Sequence, residues 1–145
     1  MSLLLDASAL VAFVRGEPAA GEVADALRSG EAAVVSVNVA ELTDVLVRRI
    51  GLPQGEVDAA ADRLVALLEV RPVDVTLARR AGALRARRYH RDTAPLSLAD
   101  CLCVAAVGSG DAVLSSDVPL LRAADAEGAS VRVLPDSRGH RPRIT

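Results

Sequence analysis

The sequence contains no lysine and no tryptophan, and its only aromatic residues are Phe13 and Tyr89. Proteins that hold single-stranded nucleic acid without sequence preference usually stack its bases on aromatic side chains. This chain has almost no such side chains to offer, so a nucleic acid would have to be held through its phosphates. The formal net charge of −2 provides no global attraction for nucleic acid either.

Cysteines and long apolar runs are also scarce. Cys101 and Cys103 are the only cysteines, and a spacing of two within a helical pattern suits neither a disulfide nor a zinc knuckle. We therefore expect reduced structural thiols in a cytoplasmic protein. No apolar stretch approaches the roughly 20 residues needed to span a bilayer. No basic region precedes the first apolar residues, so we expect no signal peptide.

The apolar residues that are present predict a parallel sheet. They make up 51% of the 145 residues, which is enough for the core of one domain. Short runs rich in Val and Leu alternate with segments of helical spacing, and we expect strands near 2–5, 32–36, 70–75, 112–116 and 130–135. Pro72 suggests that the third strand lies at an edge of the sheet or starts late. The pattern predicts one α/β domain over residues 1–145, with a mainly parallel sheet of about five strands flanked by helices on both faces.

Four acidic residues lie within or at the ends of these apolar runs: Asp6, Glu41, Asp100 and Asp117. A buried carboxylate costs several kcal/mol unless a positive group pairs with it. In open parallel sheets, sites form outside the carboxyl ends of the strands. Two of the acids directly follow predicted strands and the other two lie on adjacent helices, so all four can project toward one rim.

Each acid also has a structural interpretation when it is taken singly. Asp6 and Asp117 are suited to cap the helices that follow them, and Glu41 could face solvent. Asp100 is harder to explain, because its helix looks largely buried and no Arg lies three or four positions away. Together the four acids indicate a metal site.

The type of ligand indicates the metal and its chemistry. Hard oxygen ligands with no His or Cys cluster favour Mg²⁺ or Mn²⁺ over zinc. Two such ions about 3.5–4 Å apart stabilise the attacking and leaving oxygens of a phosphodiester displacement, with a metal-activated water as the nucleophile.

The segments around these acids resemble the PIN domain, in particular the VapC-type toxin ribonucleases of bacterial toxin–antitoxin pairs. The resemblance covers essentially the whole chain and is carried by LLLDASALVAF, VNVAEL, LSLADCLCVAAV and VLSSDVPL. It implies that the four acids are the catalytic, metal-binding carboxylates. It also implies three supporting polar groups: Ser8, Asn38 and Ser115. By the same resemblance the protein would cleave single-stranded RNA, form a homodimer and be inhibited by a small cognate antitoxin.

Arginines are the candidate RNA contacts. Arg15 ends the first predicted helix, and Arg87, Arg88 and Arg91 belong to an arginine-rich run. That run is either a solvated helix face or a ridge facing phosphates. The basic segment 136–145 is interpreted either as a phosphate contact or as a flexible end.

Other functional classes fit less well. A haloacid-dehalogenase-like phosphatase would need a second Asp at the position of Ser8, and a receiver domain would need a Lys. The alternatives that stay open are a PIN nuclease of RNA processing or quality control, and a non-catalytic PIN-like module that binds RNA or protein.

Overall fold

The computed structural model describes residues 1–145 and contains one five-stranded sheet. Its strands are β1 (Leu3–Leu5), β2 (Ala32–Val35), β3 (Glu69–Arg71), β4 (Ala112–Ser115) and β5 (Ser130–Val133). All neighbouring strands are parallel, in the order β3-β2-β1-β4-β5. The prediction of a parallel α/β fold with five strands is confirmed.

Seven α-helices connect the strands. They are α1 (Ala7–Arg15), α2 (Ala20–Ser29), α3 (Ser36–Asp44), α4 (Gln54–Leu67), α5 (Val75–Arg88), α6 (Leu98–Ala105) and α7 (Val118–Ala126). Helix α3 continues directly into a π-helical turn, Val45–Arg49. The sequence predicted one uninterrupted α-helix over this stretch, because hydrophobic spacing does not reveal one residue added to a turn. None of the helices is both long and apolar enough to cross a membrane.

The sheet separates two apolar layers. One layer packs α1, α2 and α4 against strand residues such as Leu3 and Leu5. The other packs α5, α6 and α7 against residues such as Val113. Successive strand side chains point to opposite faces. Both faces of this sheet are covered, which explains why β1, β2 and β4 are buried along their whole length.

Local chemistry sets the ends of two elements. Strand β3 is an edge strand, as predicted, and it ends at Arg71, directly before Pro72, which has no N–H to donate to a sheet. Helix α5 begins at Val75, because the Asp74 side chain accepts a hydrogen bond of 2.8 Å from the Leu77 N–H and caps the helix there.

The strand order places a crevice at the centre of the sheet. The chain runs from β1 to β2 and β3, and then returns to the other side of β1 to form β4 and β5. Such a reversal opens a crevice outside the carboxyl ends of the two central strands, here β1 and β4. Asp6 follows β1 directly, and Asp117 follows the end of β4 by two residues. The fold therefore carries both residues to the crevice.

The C-terminal segment makes specific contacts with the domain. Asp136 accepts hydrogen bonds from the backbone N–H groups of Arg138 and His140, which closes a turn. Arg141 forms an ion pair with Glu22 of α2 and donates to the Val133 carbonyl oxygen at 2.8 Å. These contacts join the segment to α2 and to the end of β5.

Candidate metal centre

A cavity of about 460 Å³ occupies the crevice. Its wall includes all four of the predicted acids together with two of the predicted supporting residues: Asp6, Ser8, Asn38, Glu41, Asp100 and Asp117. The structure therefore brings together side chains that lie more than a hundred residues apart in the sequence. Ser115, the third supporting residue, is fully buried and joins this set through its hydrogen bonds.

Asp6 is the most deeply buried of the acids. Its side chain is 4% exposed and caps α1 by accepting a hydrogen bond of 3.0 Å from the Ala9 N–H. The hydroxyls of Ser8 and Ser115 lie 2.8 Å and 2.6 Å from its two carboxylate oxygens. Burial raises the pKa of Asp6 from 3.8 to about 6, although these three donors lower it. The nearby charge of Asp117 raises the pKa further.

Ser115 connects the two central strands at the site. Its hydroxyl donates to Asp6 and accepts a hydrogen bond of 2.9 Å from the backbone N–H of Asp117. The Asp117 carboxylate in turn accepts from the Leu120 N–H at 3.0 Å and caps α7. Asp6 and Asp117 are thus helix caps and wall residues of the cavity at once.

Glu41 lies on α3 and is half-buried. Asn38, one turn earlier and 1% exposed, donates its amide N–H to Glu41 Oε1 at 2.9 Å. Burial raises the pKa of Glu41, and the negative charge of Asp100 adds to this effect, while the Asn38 donor opposes it. The Asn38 Oδ1 atom is the only buried side-chain nitrogen or oxygen atom that has no hydrogen-bond partner.

Asp100 is less buried than its apolar neighbours predicted. It is half-buried, and Leu98 in the first turn of α6 is 57% exposed. Ser97 and Asp100 form a reciprocal capping box, in which the Ser97 N–H donates to Asp100 Oδ2 at 2.9 Å. Burial still raises the pKa of Asp100, with a further contribution from the charge of Asp117.

No basic side chain neutralises these four acids. The eight ion pairs of the structure, with N···O distances up to 4.0 Å, all use other carboxylates. None of the four acids is therefore in an ion pair, although arginine side chains lie in the same cavity wall.

The oxygen atoms of this cavity fit a hard divalent cation. Glu41, Asp100 and Asp117 each keep one carboxylate oxygen without a hydrogen-bond partner, and Asn38 Oδ1 is unpartnered as well. No three His, Cys, Asp or Glu side chains lie close enough together to form a complete ligand cluster. Mg²⁺ usually takes only one or two carboxylates and keeps several waters, so the cavity suits this ion without such a cluster.

The four arginines suggested for RNA contact lie in different places. Arg15 lines the cavity of the acids. Arg87 and Arg88 both pair with Glu127, and Arg87 lines a separate cavity of about 410 Å³. Arg91 is highly exposed and lies 3.5 Å from Asp92. Of the four, only Arg15 lies in the wall of the four-acid cavity.

Two features of the cavity were not found from the sequence. Arg49 lies in its wall because of the π-helical turn, and residues 135–137 of the C-terminal segment form part of its rim. No sequence signal marks the π-helical turn. The capping box at Asp100 did have a signal, the spacing of Ser97 and Asp100 before an apolar run.

Comparison with known proteins places this geometry in a family context. A family model described as "PIN domain" matches residues 3–127. The structure is similar to the crystal structure of PAE2754 from Pyrobaculum aerophilum, with 20% identity and a TM-score of 0.65 over 90% of this chain and 83% of that chain. It is also similar to DNA-bound VapBC from Salmonella typhimurium, with 19% identity and a TM-score of 0.67 over 91% of this chain and 97% of that one. No curated protein sequence is significantly similar to this chain.

Proposed function

Because this chain belongs to the PIN domain family, a family of nucleases, we propose that it is a Mg²⁺- or Mn²⁺-dependent endoribonuclease that cleaves single-stranded RNA. One observation carries the proposal. Four carboxylates converge on the crevice at the carboxyl ends of β1 and β4, and none of them forms an ion pair. Partly buried carboxylates without an ion-pair partner destabilise the folded state. Such residues are often retained because they bind a cation or take part in catalysis.

The proposed ligands are the carboxylates that have free oxygens. Glu41, Asp100 and Asp117 offer oxygens that no protein donor contacts. One or two of these three would bind the ion directly, and the others, with Asp6, would act through its water ligands. A bound Mg²⁺ or Mn²⁺ would lower the pKa of water and offset the charge of the phosphodiester oxygens.

The surrounding residues fix the orientation of these carboxylates. Ser8, Ser115 and the Ala9 N–H hold Asp6 from three sides. Asn38 holds one oxygen of Glu41, and the Ser97 N–H holds one oxygen of Asp100. Outer groups of this kind keep ligands in place before substrate arrives, which reduces the reorganisation that binding requires.

We further propose that the enzyme is a cytoplasmic, homodimeric toxin that a small cognate antitoxin inhibits. Two observations support this: the sequence segments around the four acids, and the fold similarity to a chain of DNA-bound VapBC. A PIN nuclease of RNA processing or quality control is the alternative within the same family. A neighbouring antitoxin gene, and growth arrest on expression that Asp6→Asn relieves, would favour the toxin.

The proposed activity is tested by comparing two Asp→Asn variants. Asp100→Asn removes a charge from the cavity, whereas Asp74→Asn alters an exposed helix cap outside it. Cleavage of total RNA is measured with Mg²⁺ or Mn²⁺ and with EDTA, together with thermal melting. We expect cleavage by the wild type and Asp74→Asn only with metal, and none by a folded Asp100→Asn. Full activity of Asp100→Asn would contradict the proposal.

A further inference from the structure

Two arginines lie in the wall of the four-acid cavity, Arg15 at the end of α1 and Arg49 at the end of the π-helical turn. Both side chains belong to exposed residues. Neither is within 4.0 Å of a carboxylate oxygen, since both are missing from the ion pairs of the chain. The cavity therefore combines uncompensated carboxylates with guanidinium groups that have no anionic partner.

Arg48, the preceding residue, forms an ion pair, in contrast to Arg49. Arg48 donates two hydrogen bonds to the Asp44 carboxylate, at 2.8 Å and 2.7 Å, and does not line the cavity. The same short segment thus uses one arginine in a surface ion pair and leaves the next one unpaired beside the acids. An ion pair on an exposed helix contributes little to stability, so Arg48 serves as a matched reference for Arg49.

The π-helical turn is what brings Arg49 to the cavity. In an uninterrupted α-helix, the eight residues from Glu41 to Arg49 would advance by about 800°, which leaves position 49 about 80° away from Glu41. The turn is wider here, with the Ile50 N–H donating to the Val45 carbonyl oxygen at 3.0 Å. It takes up an additional residue, so Arg49 returns to the side of Glu41. Such single π-helical turns occur frequently at functional sites.

We propose that Arg49, with Arg15 beside it, binds the RNA phosphate next to the one that is cleaved. This inference rests on the proposed ribonuclease function. A cleavable phosphate must lie against the acids and their cation, and the neighbouring phosphates of the same strand then lie toward the rest of the cavity wall. Guanidinium groups match phosphate oxygens with a forked pair of donors. The chain has almost no aromatic side chain for stacking, so phosphate contacts must supply most of the affinity for RNA.

The test compares Arg49→Ala with Arg48→Ala and with Arg49→Lys. Binding of a fluorescently labelled, mixed-sequence single-stranded RNA is measured by anisotropy over a range of salt concentrations. These measurements use an Asp6→Asn background with Mg²⁺, so that the RNA stays intact. Steady-state cleavage is measured separately in the otherwise native enzyme, and thermal melting of each variant reports on its fold.

Arg49→Ala is expected to weaken RNA binding roughly tenfold, the effect of one charge-assisted contact. The slope of log affinity against log salt should fall by about 0.7, the value for one phosphate on a single strand. KM should rise with kcat nearly unchanged, because a remote phosphate contact is made equally in the ground and transition states. Arg49→Lys should restore the salt slope but only part of the affinity.

Arg48→Ala should resemble the wild type in every respect. Suppose that the wild type cleaves RNA but Arg49→Ala and Arg48→Ala show the same affinity and salt slope. The proposed phosphate contact of Arg49 would then be wrong, and the proposed ribonuclease function would stand. If the wild type neither bound nor cleaved RNA, both would be wrong.

Discussion

Replacing Asp6 by Asn should stabilise the metal-free protein at neutral pH, although it removes a proposed catalytic residue. Asp6 is 4% exposed, and burial raises its pKa from 3.8 to about 6. Because the pKa of this acid is higher in the folded than in the unfolded state, protonation favours folding. This contribution is fully present below about pH 4 and is lost as the pH rises through about 6. At pH 7 the ionised carboxylate therefore costs stability.

The magnitude follows from the pKa difference. A shift of about 2 pH units corresponds to roughly 3 kcal/mol of unfolding free energy at pH 7. An Asn side chain avoids this cost but accepts one hydrogen bond fewer, which offsets about 1 kcal/mol. The remaining gain of about 2 kcal/mol should raise the melting temperature by roughly 4–8 °C for a protein of this size.

The assay is thermal melting in EDTA, from about pH 4 to pH 7, of the wild type, Asp6→Asn and Asp74→Asn. Asp74 caps α5 as Asp6 caps α1, but it is exposed, and Asn is an equally good N-cap, so Asp74→Asn should leave stability nearly unchanged across this pH range. The advantage of Asp6→Asn should disappear toward pH 4. A variant less stable than the wild type at pH 7, or a difference that does not change with pH, would refute the assigned burial cost.

Three further predictions concern the same cavity and the arginine-rich helix. Saturating Mg²⁺, at about 100 times its Kd, should raise the unfolding free energy of the wild type by about 2.7 kcal/mol, and an unchanged melting temperature would count against a metal site. Ser115→Ala should raise the pKa of Asp6 further and lower RNA cleavage, whereas Ser115→Thr, which keeps the hydroxyl, should retain activity. Glu127→Gln releases Arg87 and Arg88 from their ion pairs but should change stability by less than about 1 kcal/mol and leave cleavage unchanged, because these residues lie outside the cavity. Altered cleavage by Glu127→Gln would favour an RNA-binding role for the two arginines.

Sequence patterns predicted the parts of this structure that depend on short-range periodicity. The strands and the edge position of β3 follow from apolar runs and from Pro72. The shared rim of Asp6 and Asp117 follows from the rule that parallel strands present their carboxyl ends together. These features need no knowledge of distances, so sequence alone was sufficient.

Other features depend on how exposed a residue is or on which side of a helix it lies, and the sequence did not determine these. The helix that carries Asp100 looked largely buried from its sequence, but Leu98 in the first turn of this helix is 57% exposed. Arg49 could not be placed, since one residue added in the π-helical turn changes which side of the helix it occupies. The supporting role of Ser115 was implied only by family resemblance. The pairing of β4 with β1, which places its hydroxyl 2.6 Å from Asp6, became visible only in the structure.

Locating a bound ion would show whether the four acids form a metal site. Crystals grown with Mn²⁺ and measured at a wavelength where manganese scatters anomalously would show the ion without reference to activity. We expect an anomalous peak inside the four-acid cavity, next to at least one of the carboxylates of Glu41, Asp100 and Asp117, and its loss in Asp100→Asn. An empty cavity at saturating Mn²⁺, or a peak only at other surface carboxylates, would rule out the metal site.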